Sequence, residues 1–471
     1  MRSRLLSLLL AVILIVLSGC SSGNLSLTET AITDTTEESV RVYNGPVPSV
    51  FVYNPDGTWD TVDPALRNFL REAREQYVPG DTSFTIQNDS ELGSRFNPVV
   101  FSFEIENEKE FSDPYLEISE SEDFPDCLSV KVGRGNKSGD GYSVPVNNLK
   151  SGATYYWRVS MTAKGGFKVD SEPSSFTTMP GPRILRIDGV TNARDLGGWE
   201  TADGKTVRQG MVYRTALLDN ATAEGKKTIR GELKITTELD LRNPNSSSDT
   251  INSPFTNSLN YINISAPSYS VLDDEYTSKD AKIFRVFAKP SNYPVAMHCT
   301  GGADRTGVFS FLLKALCGVD EIDLICDYEL TPNRFRTGYI SGEHNFNFPK
   351  FYESFLRLPG DTTWEKAYYF VREKCHLSEM EIANIVSMLT SDGGVYTDPA
   401  SEPITVKNGE LQVQLLPRSS EGVKAVFTDD GAEMDFSFEK NVLTVKPVSG
   451  RAGSGRIIFS DGSELPLIWA A

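Results

Sequence analysis

Residues 293–307 read YPVAMHCTGGADRTG. Tyr293–His298 is an apolar run of strand length, and Thr306–Leu316 is apolar enough to form a buried helix, so the stretch predicts a strand, a loop and a helix in succession. Such a unit is typical of an α/β fold. The backbone N–H groups at the start of a helix point at one spot, and the helix dipole favours negative charge there. The stretch therefore predicts an anion site between strand and helix.

The residue types in the loop suit a phosphate group. Gly301 and Gly302 open backbone conformations that other residues avoid and let a ligand approach closely. Arg305 offers a planar fork of donors that matches phosphate oxygens. The same N–H groups and dipole would stabilise a thiolate on Cys299, so the loop predicts a nucleophile as well. The alternative is a structural cysteine followed by an exposed arginine.

The spacing of cysteine, five residues and arginine resembles the signature of Cys-dependent phosphatases. Four further stretches occur in the order seen in a bacterial branch of atypical tyrosine and dual-specificity phosphatases, and the resemblance covers about residues 183–395. That family includes secreted enzymes that act on phosphotyrosine, phosphoserine or phosphothreonine, and phosphoinositides. The stretches are Asn192–Trp199, Tyr213–Leu217, Glu238–Arg242 and Asp327–Thr331.

The resemblance implies a mechanism without a metal or other cofactor. Cys299 would attack phosphorus and form a phosphocysteine, while Arg305 and the loop backbone would hold the equatorial oxygens. Thr306 would stabilise the departing thiolate, and His298 would act on Cys299 from behind the loop. The implied phosphate-binding residues are Thr300, Gly301, Gly302, Ala303 and Thr306.

The general acid is predicted within the same loop. In this branch an aspartate at the position of Asp304 is thought to protonate the leaving oxygen. Better-known tyrosine phosphatases use an aspartate on a separate upstream loop, for which Asp273 and Asp274 are the candidates here. Three more charged residues are expected to support the site from behind. Asp195 and Asp240 are interpreted as structural, and Arg194 either neighbours the phosphate or forms a salt bridge to a helix.

One position departs from the family pattern. Many members carry lysine where this chain has Ala303. Without that charge, single phosphate esters are favoured over multiply phosphorylated head groups. The sequence thus predicts a hydrolase of phosphotyrosine, or of phosphoserine and phosphothreonine, and an inositide phosphatase is the alternative.

Two hypotheses from other classes compete with an active phosphatase. A non-catalytic surface adhesin would have no need of an intact site. A rhodanese-like sulfur carrier would share the loop, but Asn192–Trp199 and the Arg305–Gly307 ending favour the phosphatase.

The chain is long enough for several domains, since it has 471 residues. We expect an α/β Cys-dependent phosphatase domain between an N-terminal β-sandwich and a small C-terminal all-β domain. The predicted segments are a signal peptide at 1–20, a tether with a short helix (Asp63–Tyr77) at 21–80, the sandwich at 81–179, the α/β domain at 183–395 and the C-terminal domain at 400–471.

Short strands dominate the first of these domains. Leu149–Tyr155 resembles the tyrosine corner of a fibronectin type III domain. The predicted strands are Ser83–Gln87, Val99–Ile105, Tyr115–Ser119, Leu128–Val132, Tyr142–Val146, Thr154–Thr162 and Ser174–Thr178.

Helices alternate with strands in the second domain, and strands return in the third. The predicted α/β elements are Ala221–Arg230, Leu233–Leu241, Ala281–Lys289, Glu321–Leu330, Phe348–Leu356, Thr363–Glu373 and Ser378–Leu389. The predicted C-terminal strands are Leu411–Leu416, Lys424–Phe427, Val442–Val445 and Arg456–Phe459, with a turn at Asp461-Gly462.

The first twenty residues predict export. A basic Met1–Arg4 precedes the apolar run Leu5–Leu17, and Leu17–Cys20 resembles a bacterial lipobox. We expect Cys20 to be lipidated and the protein to be anchored in the bacterial cell envelope. An ordinary signal peptide is the alternative.

Charge and cysteine content limit the partners. A net charge of -18 argues against nucleic acid and against anionic membrane surfaces. The expected partners are a phosphorylated protein or small phosphomonoester, with an unidentified surface partner for the β domains. The cysteines after Cys20 show no metal-type spacing, and their odd number leaves at least one thiol unpaired. They are Cys127, Cys299, Cys317, Cys326 and Cys375.

Overall fold

The computed structural model describes residues 43–52, 59–79, 92–245, 251, 253–331, 348–390, 404–406, 409–414, 423–439, 442–446, 452–459 and 464–470. The chain divides into two compact units, Met1–Pro46 and Val47–Ala471, and the second holds every helix and strand given below. The predicted signal peptide with Cys20, the predicted strand Ser83–Gln87 and the predicted turn at Asp461-Gly462 lie outside the described residues.

Two antiparallel sheets form the sandwich. One has the order β1-β2-β6-β5, and the other has the order β4-β3-β7-β8, with β9 also paired to β7. Alternate residues of β2, among them Phe101 and Phe103, pack in a shared core with Leu116, Ile118 and Trp157. The strands are β1 (Val50–Val52), β2 (Val99–Ile105), β3 (Phe111–Ser119), β4 (Leu128–Lys131), β5 (Lys137–Ser138), β6 (Gly141–Val146), β7 (Thr154–Ala163), β8 (Lys168–Asp170) and β9 (Ser174–Thr177).

A hydrogen bond fixes the corner between β6 and β7. The backbone N–H of Lys150 donates to the Tyr155 hydroxyl oxygen at 2.8 Å, which ties the loop to the strand that follows it. Six of the predicted strands are confirmed to within a few residues. Strand β1 pairs with β2 and so extends the sandwich into the segment that the sequence assigns to the tether.

Helix α1 (Pro64–Gln76) confirms the predicted Asp63–Tyr77 element but packs on the α/β domain. The Asp63 side chain accepts from the N–H of Ala65 and caps the helix. The apolar face of the helix, which includes Leu66 and Phe69, belongs to the α/β core. The helix is therefore a structural part of that domain.

A five-stranded sheet forms the α/β domain, in the order β10-β11-β14-β12-β13. Strand β10 is antiparallel to β11, and the other strands are parallel to one another. The elements are β10 (Arg194–Asp195), β11 (Val212–Thr215), α2 (Ala223–Lys227), β12 (Thr237–Asp240), β13 (Asn260–Asn263), α3 (Thr277–Phe287), β14 (Val295–His298), α4 (Asp304–Leu316), α5 (Glu321–Glu329), α6 (Phe348–Leu356), α7 (Thr363–Tyr369) and α8 (Glu379–Thr390).

Several predicted elements are shorter in the structure, among them Thr363–Glu373, whose α-helix ends at Tyr369 before a π-helical turn at Phe370–Lys374. The predicted helix Ala221–Arg230 is α2 followed by a π-helical turn at Thr228–Glu232. The predicted strand Leu233–Leu241 starts only at Thr237, because Lys234 has a φ of 52° and cannot continue an extended strand.

Helix α4 lies at the centre of the α/β core. Every residue from Thr306 to Leu316 is buried, as expected for a helix with no solvent face. The helix begins two residues before the predicted Thr306, so Asp304 and Arg305 lie in its first turn.

The C-terminal domain consists of two small sheets, β15-β21-β20-β17 and β16-β19-β18. Leu411, Val426 and Trp469 are part of its core. The strands are β15 (Ile404–Thr405), β16 (Leu411–Gln414), β17 (Val423–Thr428), β18 (Phe436–Glu439), β19 (Val442–Val445), β20 (Gly453–Phe459) and β21 (Glu464–Ala470). Across the described ranges, the helices are too short or too polar to cross a membrane.

Candidate active site

The candidate site lies where the parallel strands end. His298, the last residue of β14, is in register with Thr215 at the end of β11 and with Asp240 at the end of β12. In open α/β sheets, ligands bind beyond the carboxyl ends of the strands. Cys299 follows directly and is 2% exposed. The loop of residues 299–303 then leads into α4 (Asp304–Leu316).

One glycine of the loop cannot be replaced without a change of backbone. Gly302 has a φ of +64°, which side-chain-bearing residues rarely adopt. A Cβ atom there would lie 2.3 Å from the Thr215 carbonyl oxygen. The loop is thus packed against the end of β11 at a distance that only glycine permits.

The carbonyl groups of the loop face the protein. Donors outside the loop engage four carbonyl oxygens in succession, those of residues 299–302. The donors are His298 Nδ1 to Cys299 (3.1 Å), the Leu217 N–H to Thr300 (3.1 Å), Asn192 Nδ2 to Gly301 (2.9 Å) and Arg214 Nη2 to Gly302 (2.9 Å). In a trans peptide the N–H points away from the C=O. The N–H groups of residues 300–303 therefore face away from these donors.

The start of α4 adds to this cradle. Ala303 is the N-cap residue and makes no side-chain cap, so no N-cap side chain competes with an anion for the N–H groups of the first turn. Thr306 is fully buried, and among the described residues its hydroxyl has no hydrogen-bond partner. This hydroxyl lies in the turn that follows the cysteine loop, where it is available to a thiolate.

Arg305 lies across the loop. Its Nη2 is 3.3 Å from Thr300 Oγ1 and its Nη1 is 3.5 Å from the Leu241 carbonyl oxygen. The guanidinium thus spans the space between the cysteine loop and the end of β12, where it can present parallel donors to an oxyanion.

His298 is fully buried behind Cys299 and is held on both sides. Nε2 lies 3.0 Å from Glu238 Oε1, and Nδ1 lies 3.1 Å from the Cys299 carbonyl oxygen and 4.0 Å from Asp240 Oδ1. Contacts at both ring nitrogens therefore fix the orientation of the imidazole behind Cys299.

Asp327 joins the back of the loop to the helices. Its carboxylate pairs with Arg194 (2.7 Å), Arg214 (2.7 Å) and Lys314 (2.8 Å), and all four side chains are at most 2% exposed. Burial by itself would raise the pKa of Asp327, but the three cations outweigh it and hold the pKa well below its usual range. The salt bridge from Arg194 to a helix is thus confirmed.

The cations of this cluster also position the loop. Arg214 donates to the Gly302 carbonyl, and Arg194 donates to Asn192 Oδ1 at 2.6 Å while Asn192 donates to the Gly301 carbonyl. Burial lowers the pKa of Lys314 to about 8, although Asp327 opposes the shift. Three cations around one carboxylate leave this region positively charged behind a predicted anion site.

Asp304 is half-buried and hydrogen-bonded to a residue that sequence reasoning missed. The Tyr269 hydroxyl donates to Asp304 Oδ1, and it lies 2.6 Å from the Tyr328 hydroxyl. Burial raises the pKa of Asp304, although the Tyr269 hydrogen bond and Arg305 oppose this. A raised pKa favours the protonated form that a general acid needs.

The upstream candidates have different surroundings. Asp273 and Asp274 are exposed, and Asp274 pairs with Lys374 at 2.8 Å. Asp304 instead directly follows the cysteine loop, as the first residue of α4.

The other two predicted aspartates hold neighbouring segments. Asp195 accepts from the N–H groups of Gly197 and Gly210 and from Arg183, so it lies at the junction with the sandwich. Asp240 accepts from Arg242 (2.8 Å) and from the Tyr261 hydroxyl (3.0 Å). Their carboxylates fix backbone and side chains around the strand ends.

The four stretches that carried the resemblance each contribute a supporting residue. Asn192 and Arg214 donate to carbonyl oxygens of the loop. Glu238 contacts the His298 ring, and Asp327 pairs with Arg214. The sequence contained these residues without revealing their contacts. In the part of the chain that the structure describes, no cluster of three or more histidines, cysteines or carboxylates is arranged to hold a metal.

Comparisons with known proteins find likenesses to phosphatases in this domain. Residues 185–390 match the profile of the tyrosine phosphatase family. A protein of Cupriavidus necator named "Putative tyrosine-protein phosphatase" is 28% identical, over 32% of this chain and 64% of the relative. The chain thus spans 64% of the length of that curated relative.

Solved structures give weaker likenesses. The core catalytic domain of the PP-IP phosphatase SIW14 from S. cerevisiae, solved with citrate, is 16% identical with a TM-score of 0.22, over 31% of this chain and 85% of that one. The twitchin kinase region from C. elegans is 12% identical with a TM-score of 0.13, over 79% of this chain and 96% of that one. Neither score supports a conclusion about the fold. Residues 185–390 are thus similar to the tyrosine phosphatase family, and these likenesses indicate a phosphatase.

Proposed function

We propose that the protein hydrolyses phosphate monoesters through a phosphocysteine on Cys299. One observation carries the proposal. Four successive carbonyls of the cysteine loop are held by donors outside it, so the N–H groups of residues 300–303 face away from those donors. A site lined by N–H groups, a helix N-terminus and an arginine suits a phosphate dianion.

In the first step the Cys299 thiolate attacks phosphorus and the ester oxygen leaves. Arg305 and the loop N–H groups hold the three equatorial oxygens as charge spreads over them. Asp304 gives its proton to the leaving oxygen, so the alcohol or phenol departs neutral. Glu238 holds the His298 ring in place directly behind the sulfur.

In the second step water attacks the phosphocysteine. The Asp304 carboxylate left by the first step takes a proton from the water, and the P–S bond breaks to release phosphate. The Thr306 hydroxyl, which has no hydrogen-bond partner among the described residues, donates to the returning thiolate.

Phosphotyrosine is the proposed substrate class, with phosphoserine and phosphothreonine next. The Tyr269 hydroxyl contacts Asp304, beside which the leaving group must sit, so an aromatic side chain lies close to the place of the departing phenol. Ala303 adds no cation to the loop, which disfavours head groups with several phosphates.

The test is phosphate release under reducing conditions from a phosphotyrosine peptide, a phosphoserine peptide and an inositol phosphate. We expect the largest kcat/KM with the phosphotyrosine peptide. A preference for the inositol phosphate would move the function to the inositide alternative. A folded protein without turnover on any of the three would support the non-catalytic adhesin.

Lipid anchoring of the protein and the role of the sandwich are proposed separately from the catalytic function. The lipobox-like Leu17–Cys20 supports lipid anchoring in the bacterial envelope, and Cys20→Ala is expected to release the protein from the membrane fraction. An unchanged distribution would contradict it. The Lys150 to Tyr155 hydrogen bond supports a fibronectin type III-like sandwich that acts as a spacer or binds a surface partner.

A further inference from the structure

Tyr269 lies in the segment between β13 (Asn260–Asn263) and α3 (Thr277–Phe287), 35 residues before Asp304 in the chain. Its hydroxyl donates to Asp304 Oδ1, and the Tyr328 hydroxyl oxygen is 2.6 Å away. A hydroxyl has one proton to donate. Since Tyr269 gives its proton to Asp304, Tyr328 must donate to Tyr269. The chain of hydrogen bonds therefore runs in one direction, from Tyr328 to Tyr269 to Asp304.

The far end of this chain is fixed by packing. Tyr328 is 3% exposed and lies in α5, directly after Asp327. Its ring stacks on Phe348 with centroids 3.8 Å apart and an interplanar angle of 11°. The ring of Tyr269 packs against the α/β core. The hydroxyl that meets Asp304 is thus held from both sides.

We propose that Tyr269 is a positioning residue that orients Asp304 for proton transfer to and from substrate. The inference rests on the proposed function, since it assigns Asp304 as the general acid. A neutral carboxyl has a proton on one oxygen only. With Oδ1 engaged as the acceptor of the Tyr269 hydroxyl, the proton lies on Oδ2, which is the oxygen that must face the leaving group.

The same contact serves the second step. Once Asp304 has lost its proton, a donor on Oδ1 stabilises the carboxylate and leaves Oδ2 to accept from water. Tyr269 therefore limits how strongly burial favours the protonated acid. Its removal should raise the pKa of Asp304 further, because burial would act with less opposition.

The test is Tyr269→Phe in the full chain, with kcat measured across pH on p-nitrophenyl phosphate and on a phosphotyrosine peptide. The nitrophenolate needs little protonation, whereas the tyrosine phenol leaves poorly without it. We expect kcat to fall roughly 10- to 100-fold on the peptide and much less on p-nitrophenyl phosphate. Activity that requires protonated Asp304 declines as pH rises through its pKa, so the alkaline limb should move to higher pH.

A matched control removes a similar hydroxyl elsewhere. Tyr142 donates to Glu108 in the sandwich, and Tyr142→Phe should leave both rates and the pH limb unchanged. Tyr328→Phe keeps the Tyr269 contact but removes its support, and we expect a smaller effect of the same kind. If Tyr269→Phe does not fold, the two rates and the alkaline limb of Tyr328→Phe test the inference in its place.

Each failure has its own signature. Equal losses on both substrates, or an unmoved alkaline limb in a folded Tyr269→Phe or Tyr328→Phe protein, would overturn the inference. If wild type hydrolyses both substrates and Cys299→Ser does not, the proposed function stands regardless of that result. If wild type hydrolyses neither, the proposed function itself fails.

Discussion

Replacing Asp327 with asparagine removes a carboxylate that three buried cations share. Arg194, Arg214 and Lys314 lie 2.7, 2.7 and 2.8 Å from it and are at most 1% exposed. Loss of one partner from a buried ion pair typically costs 3–5 kcal/mol, because the remaining charge is neither solvated nor paired. We expect a loss of about 3–5 kcal/mol here. Lys314, whose pKa is already about 8, can release its proton in the variant. This release lowers the loss of stability, because one unpaired buried charge disappears.

The pH dependence follows from the lowered pKa of Asp327. A depressed pKa contributes stability above the unfolded value, and that stability is lost as pH falls through the folded pKa. The difference between wild type and Asp327→Asn should therefore be full at neutral pH and shrink in strong acid.

Asp323→Asn on the same helix is the matched control. Asp323 pairs with Arg74 at 2.9 Å, but the Arg74 side chain is 52% exposed and water solvates it when the partner is removed. We expect a loss of about 1 kcal/mol or less.

Hydrogen exchange of α4 amides measures the local free energy of opening without mixing the domains. Asp327→Asn should lower it in α4 and leave the sandwich unchanged. A loss no greater than that of Asp323→Asn would refute the idea that Asp327 neutralises this cluster.

Three further predictions concern the loop, a buried acid and the thiols. Gly302→Ala should reduce kcat/KM on the order of 100-fold, since its Cβ would lie 2.3 Å from the Thr215 carbonyl oxygen. As the control, Gly231→Ala should retain activity, because its Cβ would meet no atom within 4 Å. Equal rates for the two variants would contradict the close approach of the loop to β11. Asp280 is fully buried, and its carboxylate has no hydrogen-bond partner among the described residues. Burial raises its pKa to about 8, so its contribution to stability is present below about pH 4 and lost as pH rises through 8. Between these two pH values the unfolding free energy of wild type should fall by up to about 5 kcal/mol more than that of Asp280→Asn. Parallel pH curves for wild type and variant would contradict this prediction. Mild peroxide should inactivate the enzyme by oxidising Cys299, bound phosphate should protect it, and a small thiol should restore activity. Cys317 and Cys326 should react poorly, because burial raises the pKa of both thiols. Peptide mass mapping that finds Cys299 intact in inactive protein would contradict this prediction.

The cysteine loop could be predicted because its information is local. Strand β14, the loop and α4 follow one another within residues 295–316, and the residue types state the chemistry directly. The helix start was misplaced by two residues, since Asp304 and Arg305 are polar and gave no apolar signal. Strand β11 was missed for a similar reason, as the buried Arg214 interrupts its apolar pattern.

The support behind the loop could not be derived from sequence. Asn192 and Gly301 are 109 residues apart, and Arg194 and Asp327 are 133 apart, so their contacts depend on the sheet order. The role of Tyr269 could not be predicted from the sequence, because a tyrosine in an irregular segment has no pattern that separates it from an ordinary surface residue. Its role became visible only once the fold placed its hydroxyl on Asp304.

The most direct test of the account is the turnover number of Cys299→Ser against wild type on a phosphotyrosine peptide under reducing conditions. An alcohol at this position is far less nucleophilic than a thiolate at neutral pH, while the loop carbonyl contacts are made by other atoms and should persist. We predict that kcat falls by roughly 10⁴-fold or more while inorganic phosphate still binds. Turnover within about tenfold of wild type would contradict the assignment of Cys299 as the nucleophile.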